Sequence, residues 1–173
     1  MAKTPDFATL SLKDALDLAI LIEEEARERY LEFADQMEIH HTQEAASFFR
    51  TMAENEARHG QELSKRREAV FAGAPRSVKR SMLWDLEAPD YDTARAFMSV
   101  RQAMEVALAA EVTAHDFFQG ALPHVKDGDV SRLFEELRDE ESHHQELVRA
   151  QLAKLPIEPE ADADDYADEP VGH

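Results

Sequence analysis

Apolar residues recur every three or four positions along four long stretches of the chain, which is the spacing of a buried helix face. Ser11 followed by Asp14 predicts a capping box ahead of the first stretch, and Gly73 and Pro75 follow the second. No stretch alternates between apolar and polar residues, so no β-strand is predicted. The predicted helices are residues 12 to 39, 43 to 72, about 92 to 122 and 130 to about 154.

The connections between these helices indicate how they are arranged. The connections after the first and third helices are short, which favours antiparallel neighbours, whereas the link over residues 73–91 is long. At ~1.5 Å per residue, helices of about 25–30 residues each span roughly 40 Å. The predicted fold is therefore an all-α four-helix bundle with a long crossover between helices 2 and 3. Leu83, Trp84 and Leu86 are expected to pack that crossover against the bundle.

The second helix places a carboxylate and an imidazole, Glu56 and His59, on its own apolar face. An isolated carboxylate in a bundle core costs several kcal/mol unless it is paired or bound to a metal. Side chains three residues apart on a helix are neighbours, so this Glu and His can act together. The apolar residues that define the face are Phe49, Met52, Leu63 and Val70.

Helix 4 repeats the pattern of helix 2 at an offset of 85 residues, which aligns Glu141 with Glu56 and His144 with His59. Glu140 with His143 is also a Glu-x-x-His motif, but only the 85-residue offset aligns the apolar positions of the two helices. Helix 3 repeats helix 1 at an offset of 88 residues, which aligns Glu111 with Glu23. The chain is therefore a duplicated helix pair.

Four carboxylates and two imidazoles in one apolar core would repel one another, whereas two divalent cations would leave the core close to neutral. Oxygen donors with two imidazoles suit Fe(II) or Mn(II) better than a soft metal. Two iron ions per chain are predicted, with manganese as the alternative. The predicted metal ligands are Glu23, Glu56, His59, Glu111, Glu141 and His144.

These residues resemble the ligand set of the rubrerythrin-like branch of the ferritin-like di-iron carboxylate superfamily. The stretches EEEARERYLEFA (residues 23–34) and LFEELRDEESHH (residues 133–144) resemble its first and last helices, and the likeness covers about residues 11–154. It implies a ferritin-like bundle in which Tyr30 is a candidate catalytic residue that hydrogen-bonds a ligand. It also implies terminal carboxylates at Glu23 and Glu111, bridging carboxylates at Glu56 and Glu141, and one imidazole per ion from His59 and His144.

The sequence departs from the rubrerythrin pattern at Ala114, where the family usually has a further Glu. His115 follows and is interpreted as a packed residue. Asn55 and Glu140, which precede the bridging acids, are candidates to hold the ligands by hydrogen bonds. The chain has no cysteine and hence no rubredoxin domain, so electrons are expected from a separate donor protein or from the substrate.

The net charge of the chain limits which molecules it is expected to bind. With 37 acidic and 19 basic residues the formal net charge is −18, which argues against binding to nucleic acid or to an anionic membrane surface. No window reaches the ~20 apolar residues of a membrane span, and MAKTPDFATLSLKDAL lacks the apolar run of a signal peptide. A cytoplasmic protein is predicted. Residues 1–155 are predicted to form the ferritin-like di-iron domain and residues 156–173 an acidic, disordered tail.

The leading functional hypothesis is a rubrerythrin-like di-iron oxidoreductase that reduces hydrogen peroxide or O₂ and protects against oxidative stress. The first alternative is a ferroxidase or iron-handling protein with Fe(II) as its substrate. A redox-inert, metal-stabilised interaction module is a further alternative, and a manganese catalase would have similar ligands. A homodimer is expected from the resemblance, and an exchange of helices between subunits across the 73–91 link remains open.

Overall fold

The computed structural model describes residues 6–40, 42–79 and 99–157. These residues form four long helices and no strand, so the predicted all-α bundle is confirmed. Within these ranges no helix is long and apolar enough to cross a membrane. The helices are α1 (Leu12–Ile39), α2 (Gln43–Phe71), α3 (Val100–Ala121) and α4 (Gly128–Leu152), with a short 3₁₀ turn at Leu122–His124.

Capping side chains determine where the helices begin. The Ser11 hydroxyl accepts the backbone N–H of Asp14 at 3.1 Å, as the sequence predicted for α1. Ser99 and Gln102 form a reciprocal capping box, so α3 begins at Val100 and not near residue 92. The predicted span from 92 to 98 lies outside the described residues.

The first turn of α4 also begins earlier than predicted. The Asp127 side chain accepts the backbone N–H groups of Asp129 and Val130, at 2.8 and 3.0 Å. Asp127 is therefore the N-cap, and Gly128 and Asp129 belong to the first helical turn instead of a separate turn. At the end of α2, Gly73 has a φ of 71°, a left-handed conformation that glycine adopts without strain.

Two apolar clusters fill the two ends of the bundle. The first joins the beginning of α1 to the end of α2, the end of α3 and the beginning of α4, around Leu16, Leu63, Phe118 and Phe134. The second joins the opposite ends of the same helices, around Phe49, Met104 and Val148. Both clusters belong to one bundle core, and the region between them lies at the middle of each helix.

This arrangement determines the direction of each helix. The ends of α2 and α3 share the first cluster and their beginnings share the second, so these two helices are parallel. The end of α2 and the beginning of α3 therefore lie at opposite ends of the bundle, as the predicted crossover between them requires. Leu83, Trp84 and Leu86 of that crossover lie outside the described residues, as do residues 158–173 of the predicted tail.

The last turns of α2 differ from the predicted apolar face. Val70 is 62% exposed, whereas Arg67 is buried and its Nε donates to the buried carboxylate of Asp17 in α1. Arg67 also donates to the carbonyl oxygen of Ala74 at 2.9 Å, so it ties the start of the crossover to the bundle. Burial raises the pKa of Asp17, but hydrogen bonds from Arg67 and Lys13 outweigh it and hold this pKa below its ordinary value. The prediction that Val70 belongs to the buried apolar face was wrong, because the ion pair between Arg67 and Asp17 occupies that part of the face.

Candidate metal centre

The six predicted ligands meet between the two apolar clusters, one or two from the middle of each helix. The structure buries Glu141 and His144, which are aligned by the repeat, and leaves the neighbouring His143 side chain 67% exposed. Five of the six are buried, and the side chain of His59 is 14% exposed. The contributors are Glu23 from α1, Glu56 and His59 from α2, Glu111 from α3, and Glu141 and His144 from α4.

One half of the centre, which we call the closed half, consists of Glu111, Glu141 and His144, and all three are buried. The Nδ1 atom of His144 lies 3.5 Å from Oε2 of Glu111 and 3.7 Å from Oε2 of Glu141. One potential ligand atom from each residue lies within 4.8 Å of the other two. Three donors so close together can bind one cation.

The other half, which we call the open half, consists of Glu23, His59 and Glu140. The Nδ1 atom of His59 lies 4.0 Å from Oε2 of Glu23 and 3.6 Å from Oε2 of Glu140. Gly60 follows His59, and a Cβ built on it would lie 3.6 Å from the Cβ of Glu23. This half is partly exposed because Glu140 and His59 both reach the surface of the bundle.

Glu56 lies between the two halves. Its Oε1 is 3.1 Å from Nδ1 of His144, and potential ligand atoms of Glu56, His59 and His144 lie within 4.8 Å of one another. The two imidazole rings are stacked, with centroids 5.4 Å apart and planes 8° from parallel. This position suits a bridging carboxylate. Glu141 groups only with the closed half, so its bridging role remains a prediction.

Burial and mutual repulsion shift the acidities of the centre. Burial raises the pKa of Glu23 to about 7 and raises those of Glu56 and Glu141 well above the ordinary range. For Glu111 burial acts in the same direction, but the nearby side chains of His144, Glu141 and Tyr30 outweigh it and lower the pKa. Burial would lower the pKa of His144, yet the carboxylates of Glu111 and Glu141 raise it to about 10. Burial therefore disfavours the charged form of three of the four carboxyl groups, Glu23, Glu56 and Glu141.

The donor set fits divalent metal ions. Four buried atoms of the described residues have no hydrogen-bond partner, namely Oε2 of Glu23, Oε1 of Glu56, Nδ1 of His59 and Nδ1 of His144. These atoms face one another only as ionic contacts, 3.1 Å between Glu56 and His144 and 4.0 Å between Glu23 and His59. A buried polar atom without a hydrogen bond costs about 1–3 kcal/mol, so the arrangement is a costly one. Carboxylate oxygens with imidazole nitrogens are donors that Fe(II) and Mn(II) accept. Ligation would satisfy all four atoms.

Tyr30 belongs to the closed half, although it comes from α1. Its hydroxyl is buried and donates a hydrogen bond to Oε1 of Glu111. Burial and the nearby carboxylates raise the pKa of Tyr30 well above 10, so the hydroxyl stays protonated and remains a donor. Its repeat-mate, Phe118, cannot form this bond. The hydrogen bond to a ligand was predicted, and a catalytic role for Tyr30 remains a prediction.

A comparison with protein families matches the rubrerythrin model over residues 14–152. The chain belongs to the rubrerythrin family. Among solved structures, an uncharacterised conserved protein from Magnetospirillum magnetotacticum MS-1 is 28% identical, with a TM-score of 0.75 over 87% of this chain and 99% of that one. A hypothetical protein from Pyrococcus furiosus is 24% identical, with a TM-score of 0.56 over 87% and 95%, and supports the fold alone. No curated protein matches the chain significantly.

Three further residues near this rubrerythrin centre, His115, Asn55 and Gln145, make different contacts. The Nδ1 atom of His115 lies 3.0 Å from the carboxylate of Asp116, and His115 belongs to none of the three donor groups. Asn55 accepts a hydrogen bond from Arg58 at 3.2 Å instead of holding a ligand. Sequence reasoning missed Gln145, which is buried and donates to the backbone carbonyl of Glu111 at 3.4 Å. Its position directly after the helix 4 Glu-x-x-His motif was the available signal.

Proposed function

We propose that this rubrerythrin-family chain is a di-iron oxidoreductase that reduces hydrogen peroxide or O₂ and so protects against oxidative stress. The observation that carries the proposal is a set of four buried donor atoms without a hydrogen-bond partner, supplied by two carboxylates and two imidazoles at the centre of the bundle. A purely structural core would satisfy or replace such atoms, because each is costly to bury. Function is the most direct reason for keeping them.

In this proposal each half holds one ion. Glu111, Glu141 and His144 would bind the ion of the closed half, Glu23 and His59 would bind that of the open half, and Glu56 would contact both. When bound, two ferrous ions supply two electrons, which with two protons convert one hydrogen peroxide molecule into two water molecules.

The protein's own part is to position the ligands and limit the access of water. The hydroxyl of Tyr30 fixes one oxygen of Glu111, and the second oxygen lies toward His144. Gln145 holds the backbone of α3 beside the same ligand. The apolar clusters exclude water from both ends, which strengthens electrostatic interactions within the centre.

The oxidised centre needs two electrons from outside before each new turnover. The chain has no cysteine, so it carries no rubredoxin-type iron site of its own. A separate electron-donor protein is therefore part of the proposal, with a homodimer as the expected assembly.

The test combines metal analysis with anaerobic stopped-flow oxidation of the Fe(II)-loaded protein by hydrogen peroxide and by O₂. We expect about two irons per chain, as the two halves require, and oxidation by peroxide much faster than that of free Fe(II). Glu56→Gln should slow this oxidation, because Glu56 is the residue between both halves. Glu62→Gln, on an exposed position of the same helix, is the matched control. Peroxide consumption no faster than that of free iron would overturn the proposal.

One observation favours ferroxidase activity as the second candidate. The open half is partly exposed, so Fe(II) can reach it from solvent as a substrate. In that case O₂ would oxidise the loaded protein faster than peroxide, and successive additions of Fe(II) would each be oxidised. A loaded centre that neither oxidant changes would instead support the redox-inert interaction module.

A further inference from the structure

The two halves of the centre are related by the repeat but are not equivalent. Oε2 of Glu140 in α4 lies 3.6 Å from Nδ1 of His59. From the sequence, Glu140 was predicted only to hold the ligands by hydrogen bonds. At the equivalent position of α2, Asn55 is turned toward Arg58. Only the open half therefore receives a carboxylate from the residue before the Glu-x-x-His motif.

The open half also lacks a side chain that the closed half has. Gln145 follows His144 and donates to the backbone carbonyl of Glu111, whereas Gly60, at the equivalent position after His59, has no side chain that could reach Glu23 in this way. The open half is also the more accessible one, because the side chains of His59 and Glu140 are 14% and 39% exposed.

Glu140 supplies a third donor to the open half. Besides Glu56, which lies between the halves, the closed half has three buried donors, whereas the open half without Glu140 has only Glu23 and His59. The donor atoms of both residues, Oε2 and Nδ1, are without a hydrogen-bond partner, and the Glu23 side chain is 3% exposed. Potential ligand atoms of Glu23, His59 and Glu140 lie within 4.8 Å of one another.

We propose that Glu140 is a direct ligand of the ion held by Glu23 and His59, so that each half has three protein donors besides Glu56. This inference rests on the proposed two-ion centre and adds a residue to it. A role as hydrogen-bond acceptor for His59 does not explain the contact, because 3.6 Å is too long and Nδ1 has no partner. The Glu140 side chain is 39% exposed, so the ion of the open half meets solvent through this ligand and exchanges faster than the other.

The experiment is an anaerobic Co(II) titration of the full chain, followed by the d–d absorption of the bound ion and by competition with a chelator. We expect two Co(II) per wild-type chain. In Glu140→Gln, one ion should keep its affinity and spectrum, while the other should bind at least about 10–100-fold more weakly with an altered spectrum. Loss of even an outer partner of a metal ligand typically costs that much. Glu140 is partly exposed, so the variant is expected to fold, and circular dichroism verifies this.

Glu62→Gln is the matched control, because it removes one negative charge beside His59 and Glu140 from an exposed position of α2. It should leave both affinities and both spectra unchanged. Equal weakening by Glu62→Gln and Glu140→Gln would mean that surface charge alone is responsible, and this would overturn the assignment. Two tightly bound ions with wild-type spectra in Glu140→Gln would overturn it and leave the two-ion centre intact. Failure of the wild type to bind two ions would instead overturn the proposed function and this inference with it.

Discussion

Replacing Glu23 by Gln should stabilise the metal-free protein at alkaline pH while it weakens metal binding. Burial is the largest cause that raises the pKa of Glu23, from 4.5 to about 7. Between about pH 4.5 and pH 7 the folded state therefore retains a proton that the unfolded state has lost. The stability that this proton contributes is lost as the pH rises through about 7. Gln has nearly the same shape as protonated Glu and cannot ionise, so it avoids this loss.

The magnitude follows from the pKa shift. A shift of about 2.5 units corresponds to roughly 3 kcal/mol of unfolding free energy once Glu23 is ionised in the folded state, because each unit is worth about 1.4 kcal/mol. At pH 8 we therefore expect Glu23→Gln to be more stable than wild type by roughly 3 kcal/mol. At pH 5, close to the unfolded pKa, the gain should fall below about 1 kcal/mol. For a chain of this size the gain at pH 8 raises Tm by roughly 6–12 °C.

The assay is urea-induced unfolding followed by far-UV circular dichroism, with a chelator present, at several values between pH 5 and pH 8. Glu24→Gln is the matched control, because the neighbouring Glu24 side chain is 45% exposed and pairs with Arg76 at 3.0 Å. This surface substitution should change the unfolding free energy by less than about 1 kcal/mol. If Glu23→Gln gives the same difference at pH 5 as at pH 8, or destabilises the protein at pH 8, the argument from burial is refuted.

Two further substitutions test separate parts of the structure. Tyr30→Phe removes the hydrogen bond to Glu111 but keeps the ring, as Phe118 does at the repeat-related position. In competition with a chelator, one ion should bind about 10–100-fold more weakly. Unchanged affinity for both ions would contradict the positioning role of Tyr30. Asp17→Ala leaves Arg67 buried without its carboxylate partner. The free energy of unfolding, measured in urea, should fall by about 3–5 kcal/mol, while the metal stoichiometry stays unchanged. A loss below about 1 kcal/mol would show that this ion pair contributes little to stability.

The sequence alone was enough to predict the helices and the centre that they bring together. Helical spacing is a local property, so apolar positions three or four residues apart identify the buried face before any tertiary contact is known. Glu56 and His59 stand out on such a face, and the 85-residue repeat selects Glu141 and His144 over the pair one residue earlier. The structure buries Glu141 and His144 as that alignment requires.

The tertiary structure alone decided the differences between the two halves. The repeat assigns Glu140 and Asn55 equivalent places, yet only Glu140 reaches the imidazole across the bundle. Likewise, the burial of Arg67 depends on Asp17, 50 residues away in the chain. Contacts between helices depend on how their faces pack against one another, and periodicity within one helix carries no information about the residue that faces it. The sequence therefore predicted six side chains that the structure brings together, whereas the difference between the open and closed halves depends on the packing of the helices.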